Sequence, residues 1–141
     1  MINLRKYSFF ALFMITAVIS LTGCAKDTVG PDSSDVRSRF YGTWSVNETH
    51  TKLTYDVTIS ADTGKTGVLI YNFGLSGPSV KARAVISGDN IGLWPAHQTM
   101  SNGWVIDGSG SLAGSNEIDW PSYTINDGAN LIYCQATYTK K

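Results

Sequence analysis

Leu53-Thr54-Tyr55-Asp56-Val57-Thr58-Ile59-Ser60 alternates apolar and polar residues without a fault. Successive side chains of a β-strand point to opposite faces, so this alternation marks a strand with one buried face. The period of two continues outward from it. Gly67 to Phe73 is apolar on both faces, with Val68 and Ile70 on one and Leu69, Tyr71 and Phe73 on the other. Val80, Ala82, Ala84 and Ile86 alternate with Lys81, Arg83 and Val85, and the small alanines point to close packing in a narrow space. Ile91 to Trp94 is short and stops at Pro95. Gly103-Trp104-Val105-Ile106 forms a strand that ends in Asp107-Gly108-Ser109-Gly110, with Ser111 and Leu112 continuing after a bulge. Glu117 to Ile125 is interrupted at Pro121, which suits an edge or a bulge because proline cannot donate to a ladder. Ala129 to Thr139 is the last strand, with Ile132, Cys134, Ala136 and Tyr138 on one face.

Turn signals separate these runs: Ala61 to Thr66, Leu75-Ser76-Gly77-Pro78, Gly88-Asp89-Asn90 and Asn126-Asp127-Gly128. Counted from Trp44 there are about eight strands, joined by short connections that make sequence neighbours antiparallel. The expected fold is all-β, an eight-stranded antiparallel up-and-down barrel over residues 40–141. Closure also removes exposed sheet edges. A two-sheet β-sandwich is the alternative, but its Greek-key topology needs long crossovers. Ahead of the strands, Asp35 to Phe40 fits one or two helical turns, capped by Ser33 or Ser34, with Val36 and Phe40 on one face.

The first part of the chain has a different character. Arg5 and Lys6 precede an apolar run from Phe9 to Leu21, broken only by Thr16 and Ser20. Such a run has the length of a secretory signal and is short of the roughly 20 apolar residues that span a bilayer. It closes on Leu21-Thr22-Gly23-Cys24, which resembles the lipobox of bacterial lipoproteins. That resemblance implies a signal peptide over residues 1–23 and a diacylglyceryl group on Cys24, usually with a further N-acyl chain. More than one acyl chain is what stable attachment requires. Ala25 after the cysteine implies sorting to the outer membrane in such proteins. Residues 24–39 then comprise the lipidated cysteine, a polar, turn-rich tether and the short helical turn.

Gly42-Thr43-Trp44 opens the first strand after the helical turn. Together with Gly103-Trp104-Val105-Ile106-Asp107-Gly108-Ser109-Gly110 and Cys134-Gln135-Ala136-Thr137-Tyr138, it resembles small lipocalin-like (calycin-like) bacterial lipoproteins. The resemblance implies that Trp44 plugs one end of a barrel and that the barrel carries a ligand. The chain is shorter than a full lipocalin, and a shallow eight-stranded barrel leaves an interior that side chains nearly fill.

Charge narrows the partners. Two of the 11 basic residues precede Cys24 while all 11 acidic residues follow it, so the remainder carries about −2. No basic patch is present for nucleic acid. With Cys24 committed to lipid, Cys134 is left without a partner in an apolar strand pattern, as a core residue. His50 and His97 lack metal-ligand spacing. Glu117 and Asp119, at i, i+2, share one strand face and with Asp107 are the candidates for acid–base or calcium chemistry; a solvated outer face is the simpler reading. No cofactor, metal site or catalytic set is expected.

The aromatic residues are the stronger lead, since Trp and Tyr combine a large apolar body with a polar tip. Trp94, Trp104 and Trp120, expected near strand ends at the barrel mouth, and Tyr55 and Tyr71 are the candidate ligand-binding residues. The expected function is a lipid-anchored binding module for a small apolar or sugar ligand. The alternative is a protein-interaction module, an inhibitor or accessory subunit, with a filled barrel.

Overall fold

The computed structural model describes residues 35–141. The signal segment, Cys24, the tether and the candidate caps Ser33 and Ser34 lie outside the described residues. No helix among the described residues is long and apolar enough to cross a membrane.

A 3₁₀ turn, Val36–Arg39, leads into nine strand segments: β1 Gly42–Glu48, β2 Thr54–Ala61, β3 Gly67–Tyr71, β4 Lys81–Ser87, β5 Asn90–Leu93, β6 Gln98–Thr99, β7 Val105–Leu112, β8 Glu117–Asn126 and β9 Leu131–Lys140. Sequence neighbours pair antiparallel from β1 to β5 and from β6 to β9, and β1 pairs with β9. Segments β5 and β6 both lie along β7, Asn90 to Gly92 against Ser111 to Ser109 and Gln98 and Thr99 against Ile106 and Val105. They are two pieces of one barrel strand. The nine segments therefore occupy eight positions, and the β5–β7 and β1–β9 pairings close an up-and-down barrel.

The inward rows follow the alternation, except that Leu53 precedes β2 and is exposed and Ile132 is only partly buried. Trp44, Val46, Val57, Ile59, Val68, Ile70, Ala82, Ala84, Ile86, Ile118 and Tyr138 are all buried. Four local readings change. The 3₁₀ turn is capped by Asp35, whose carboxylate accepts the Arg37 backbone N–H at 2.9 Å. With three residues per turn, Val36 and Phe40 fall on different sides, so Phe40 is buried while Val36 is exposed. The strand β3 stops at Tyr71. Asn72 then takes a left-handed conformation (φ 65°) that turns Phe73 into the core instead of leaving it on the Leu69–Tyr71 face. The strand β9 starts at Leu131, because the Asp127 carboxylate holds the backbone N–H groups of Ala129 and Asn130 in the preceding turn.

The fourth change is in β7. The glycine-rich stretch does not end this strand but runs inside it, with a bulge between Ser109 and Ser111. A Cβ on Gly108 would lie 2.4 Å from Tyr123 Cβ, and one on Gly110 would lie 2.7 Å from the Asp119 carbonyl oxygen and 2.9 Å from the Trp120 indole. These two positions let Tyr123 and Trp120 of β8 lie against the β7 backbone. Pro121 sits at a matching irregularity in β8, between Trp120 and Tyr123.

Candidate functional site

The break between β5 and β6 shapes the outer wall. Residues 94–97 leave the strand line, with His97 in a left-handed conformation (φ 55°). The Gln98 side chain repairs the ladder they interrupt. Its Oε1 accepts the Arg83 backbone N–H at 2.8 Å, and its Nε2 donates to the Arg83 carbonyl at 2.6 Å. A side-chain amide thus imitates a strand backbone, and the Trp94 N–H adds a bond to the same carbonyl at 3.0 Å. The bulge is pinned on both sides, and it projects Trp94 into solvent, 61% exposed.

Beside this bulge lies an open groove of about 680 Å³ on the outer face, whose lining includes Asp62, Leu69, Lys81, Arg83, His97 and Gln98. A smaller groove of about 270 Å³ continues it past Trp94, sharing Asp62, Arg83 and Pro95. Arg83 and Asp62 pair at 3.3 Å, and His97 lies 3.5 Å from the Asp107 carboxylate. The surface therefore offers donors and acceptors side by side, next to an exposed indole.

The barrel interior is the second place where polar chemistry gathers. Glu48 closes β1 on the inward row of Trp44 and Val46, and it is 1% exposed. It stands opposite Ala136 of β9, which stands opposite Trp120 of β8. The Tyr123 hydroxyl donates to Glu48 Oε1. Glu48 Oε2, the Tyr55 and Tyr138 hydroxyls and the Trp120 indole nitrogen are buried without a hydrogen-bond partner. Burial pushes the hydroxyls of Tyr55, Tyr123 and Tyr138 above the usual phenol range, with the Glu48 carboxylate adding to it. The Cys134 thiol is pushed up to about 11, first by burial and then by the Glu48 charge.

The aromatic residues singled out in the sequence are distributed over both places. Trp120 and Tyr55 face the interior, with Trp120 deep in β8 instead of at a strand end. Trp94 is on the outer wall. Tyr71 is half-buried on the outer face of β3 under Lys81, whose Nζ lies 5.4 Å from the ring centroid. Trp104 is half-buried, packed against the core where the chain enters β7. Trp44 is fully buried at the end where β1 begins, and its Nε1–H donates to the Phe40 carbonyl at 2.8 Å. Glu117 and Asp119 are exposed on the outer face of β8, and no group of three or more metal-ligating side chains is present among the described residues.

Sequence reasoning missed Glu48 and Gln98. Glu48 had a signal, since it continues the period of two from Trp44 and Val46 to the inward face. Gln98 had none, because its role depends on a carbonyl and an N–H fifteen residues earlier.

The fold has a solved counterpart. This chain is similar to a redesigned β barrel, with a TM-score of 0.52 and 14% sequence identity, the match covering 76% of this chain and 96% of that one. At that identity the likeness concerns the fold alone. No family model and no curated protein matches this chain. The shared architecture is a closed antiparallel up-and-down β-barrel.

Proposed function

We propose that this chain is a binding module, tethered through Cys24 to the bacterial outer membrane, that takes a small sugar in the groove beside Trp94. The observation that carries the reading is the exposed indole of Trp94 on a bulge held by both ends of the Gln98 amide. An exposed large aromatic side chain on a rigid support is a surface built for contact. The C–H face of a sugar ring stacks on such an indole, while its hydroxyls exchange hydrogen bonds with Arg83, Asp62 and His97. The mixed polar border favours a sugar over a purely apolar ligand, and the groove volume lies in the range of small-molecule sites. The tether rests on the lipobox residues. No catalytic step is assigned to the site.

The test is a soluble-glycan array followed by calorimetry with the best ligand found. Trp94→Ala is expected to weaken that ligand at least tenfold while leaving the fold intact. Failure to bind any glycan, or equal binding by Trp94→Ala, overturns the sugar reading. A protein-interaction module is the second reading. Leu131 and Tyr133, 55% and 71% exposed at i, i+2 on the outer face of β9, favour it. Cross-linking from intact cells through β9 tests that alternative.

A further inference from the structure

The interior cluster holds a buried carboxyl group that the described residues do not pair with a cation. None of the ion pairs among them involves Glu48, although it is nearly inaccessible. Buried carboxylates are ordinarily paired, because a charge removed from water without a partner is costly. Tyr123 supplies one donor, to Oε1. The other oxygen has no donor, and the hydroxyls of Tyr55 and Tyr138, on the strands β2 and β9 that flank β1, are buried without partners. Each phenol oxygen has lone pairs to offer as well as a proton.

The walls point the same way. Phe73, Trp120, Tyr123 and Tyr138 pack edge-on or tilted, with ring centroids 5.0 to 6.1 Å apart. Ring faces carry negative potential and attract cations. At these distances the rings pack directly against one another. A carboxylate oxygen, two phenol oxygens and aromatic faces together favour positive charge, and nothing on this surface repels it.

We propose that the barrel interior is a site for one small monovalent cation, of the ammonium or alkali-metal type. Glu48 Oε2 is its charged ligand, and the Tyr55 and Tyr138 hydroxyl oxygens are its neutral ligands. The site is separate from the outer groove and stands or falls independently of it.

The experiment is thermal unfolding of the full chain at neutral pH and constant chloride. Bulky N-methylglucamine is replaced stepwise by ammonium, potassium or sodium. A cation that binds only the folded state raises the midpoint with its concentration, and a saturable rise on the order of 5 °C is expected. A response to ammonium alone makes the guest a hydrogen-bond donor, such as an amine; a response to potassium or sodium makes it a metal ion. Glu48→Gln is expected to abolish the response, and Tyr138→Phe, which keeps the ring, to shift half-saturation severalfold upward. If Glu48→Gln does not fold, Tyr138→Phe carries the test. Identical midpoints in all four chlorides overturn the proposal, as does a response that Tyr138→Phe leaves unchanged.

Discussion

Two tryptophans are wholly buried in this barrel, and their indole N–H groups are treated differently. Trp44 donates to the Phe40 carbonyl, in an end closed by the 3₁₀ turn. There Arg37 bonds the Asp35 carboxylate and also the carbonyls of Asp62, Gly64 and Gly67, tying the turn to the loop between β2 and β3. Trp120 donates to nothing, in a region where a carboxylate oxygen and two phenols are also idle. A satisfied buried donor stabilises modestly, whereas an unsatisfied one costs its desolvation. The Trp44 end is built for holding the barrel shut. The Glu48 region gives up stability, and such concessions gather where a protein binds something.

The sharpest way to break this comparison is to remove the larger support. Trp44→Ala is expected to lower stability by about 3–5 kcal/mol, the usual cost of losing a large core aromatic. A urea titration showing a loss under about 1 kcal/mol would mean that Trp44 does not hold its end together. A finer pair is Trp44→Phe against Trp120→Phe. Both lose the indole nitrogen, but only the first strands a carbonyl that had a partner. Trp44→Phe is expected to cost about 1–2 kcal/mol more than Trp120→Phe, again by urea midpoints. Equal costs would erase the difference between the two sites.

The two regions also answer opposite ends of the pH scale. Hydrogen bonds from the Arg37 side chain and backbone hold the Asp35 carboxyl well below its ordinary 3.8. A depressed carboxyl contributes stability that is present above its unfolded value and is lost as pH falls through the folded one. The acid limb therefore begins below about pH 4, and Asp35→Asn, which can still cap the turn, is expected to flatten it. In the Glu48 region the sign reverses. Cys134 rises from 9.0 to about 11, and the three tyrosines rise above 10.0. Their contribution is complete below pH 9 and is lost as pH climbs past that value. Tyr138→Phe is expected to flatten this alkaline limb and leave the acid limb alone. Both limbs are read from the unfolding midpoint against pH.

The smallest effect is expected on the outer wall. Trp94→Ala should change stability by no more than about 0.5 kcal/mol, since an exposed side chain away from caps and core carries little of the fold. A large loss would make Trp94 a structural residue and remove it from the binding surface.

Alternation was enough to read the barrel. Leu53 to Ser60 and the runs after it put Val57, Ile59, Val68, Ile70, Ala82 and Ala84 on the inward face, because the pleat leaves a strand only two faces. Short turns then forced antiparallel neighbours. Half of the interior polar site was legible on the same grounds, since Glu48 and Tyr55 both fall on inward positions. That Glu48 meets Tyr123, and that Trp120 packs against Tyr123 and Tyr138, was not legible. Those contacts depend on the β1–β9 closure and on the bulges beside Gly108 and Pro121. Trp94 shows the same limit from outside. Pro95 announced a break after Trp94, one residue past the end of β5 at Leu93, but nothing local indicated that Gln98 would rejoin the ladder and turn the break into a platform. Periodicity is a property of neighbouring residues, so the chain alone determined strands, faces and order. Closure register and the pairing of distant polar groups are properties of the assembled barrel, and only the tertiary structure decided them.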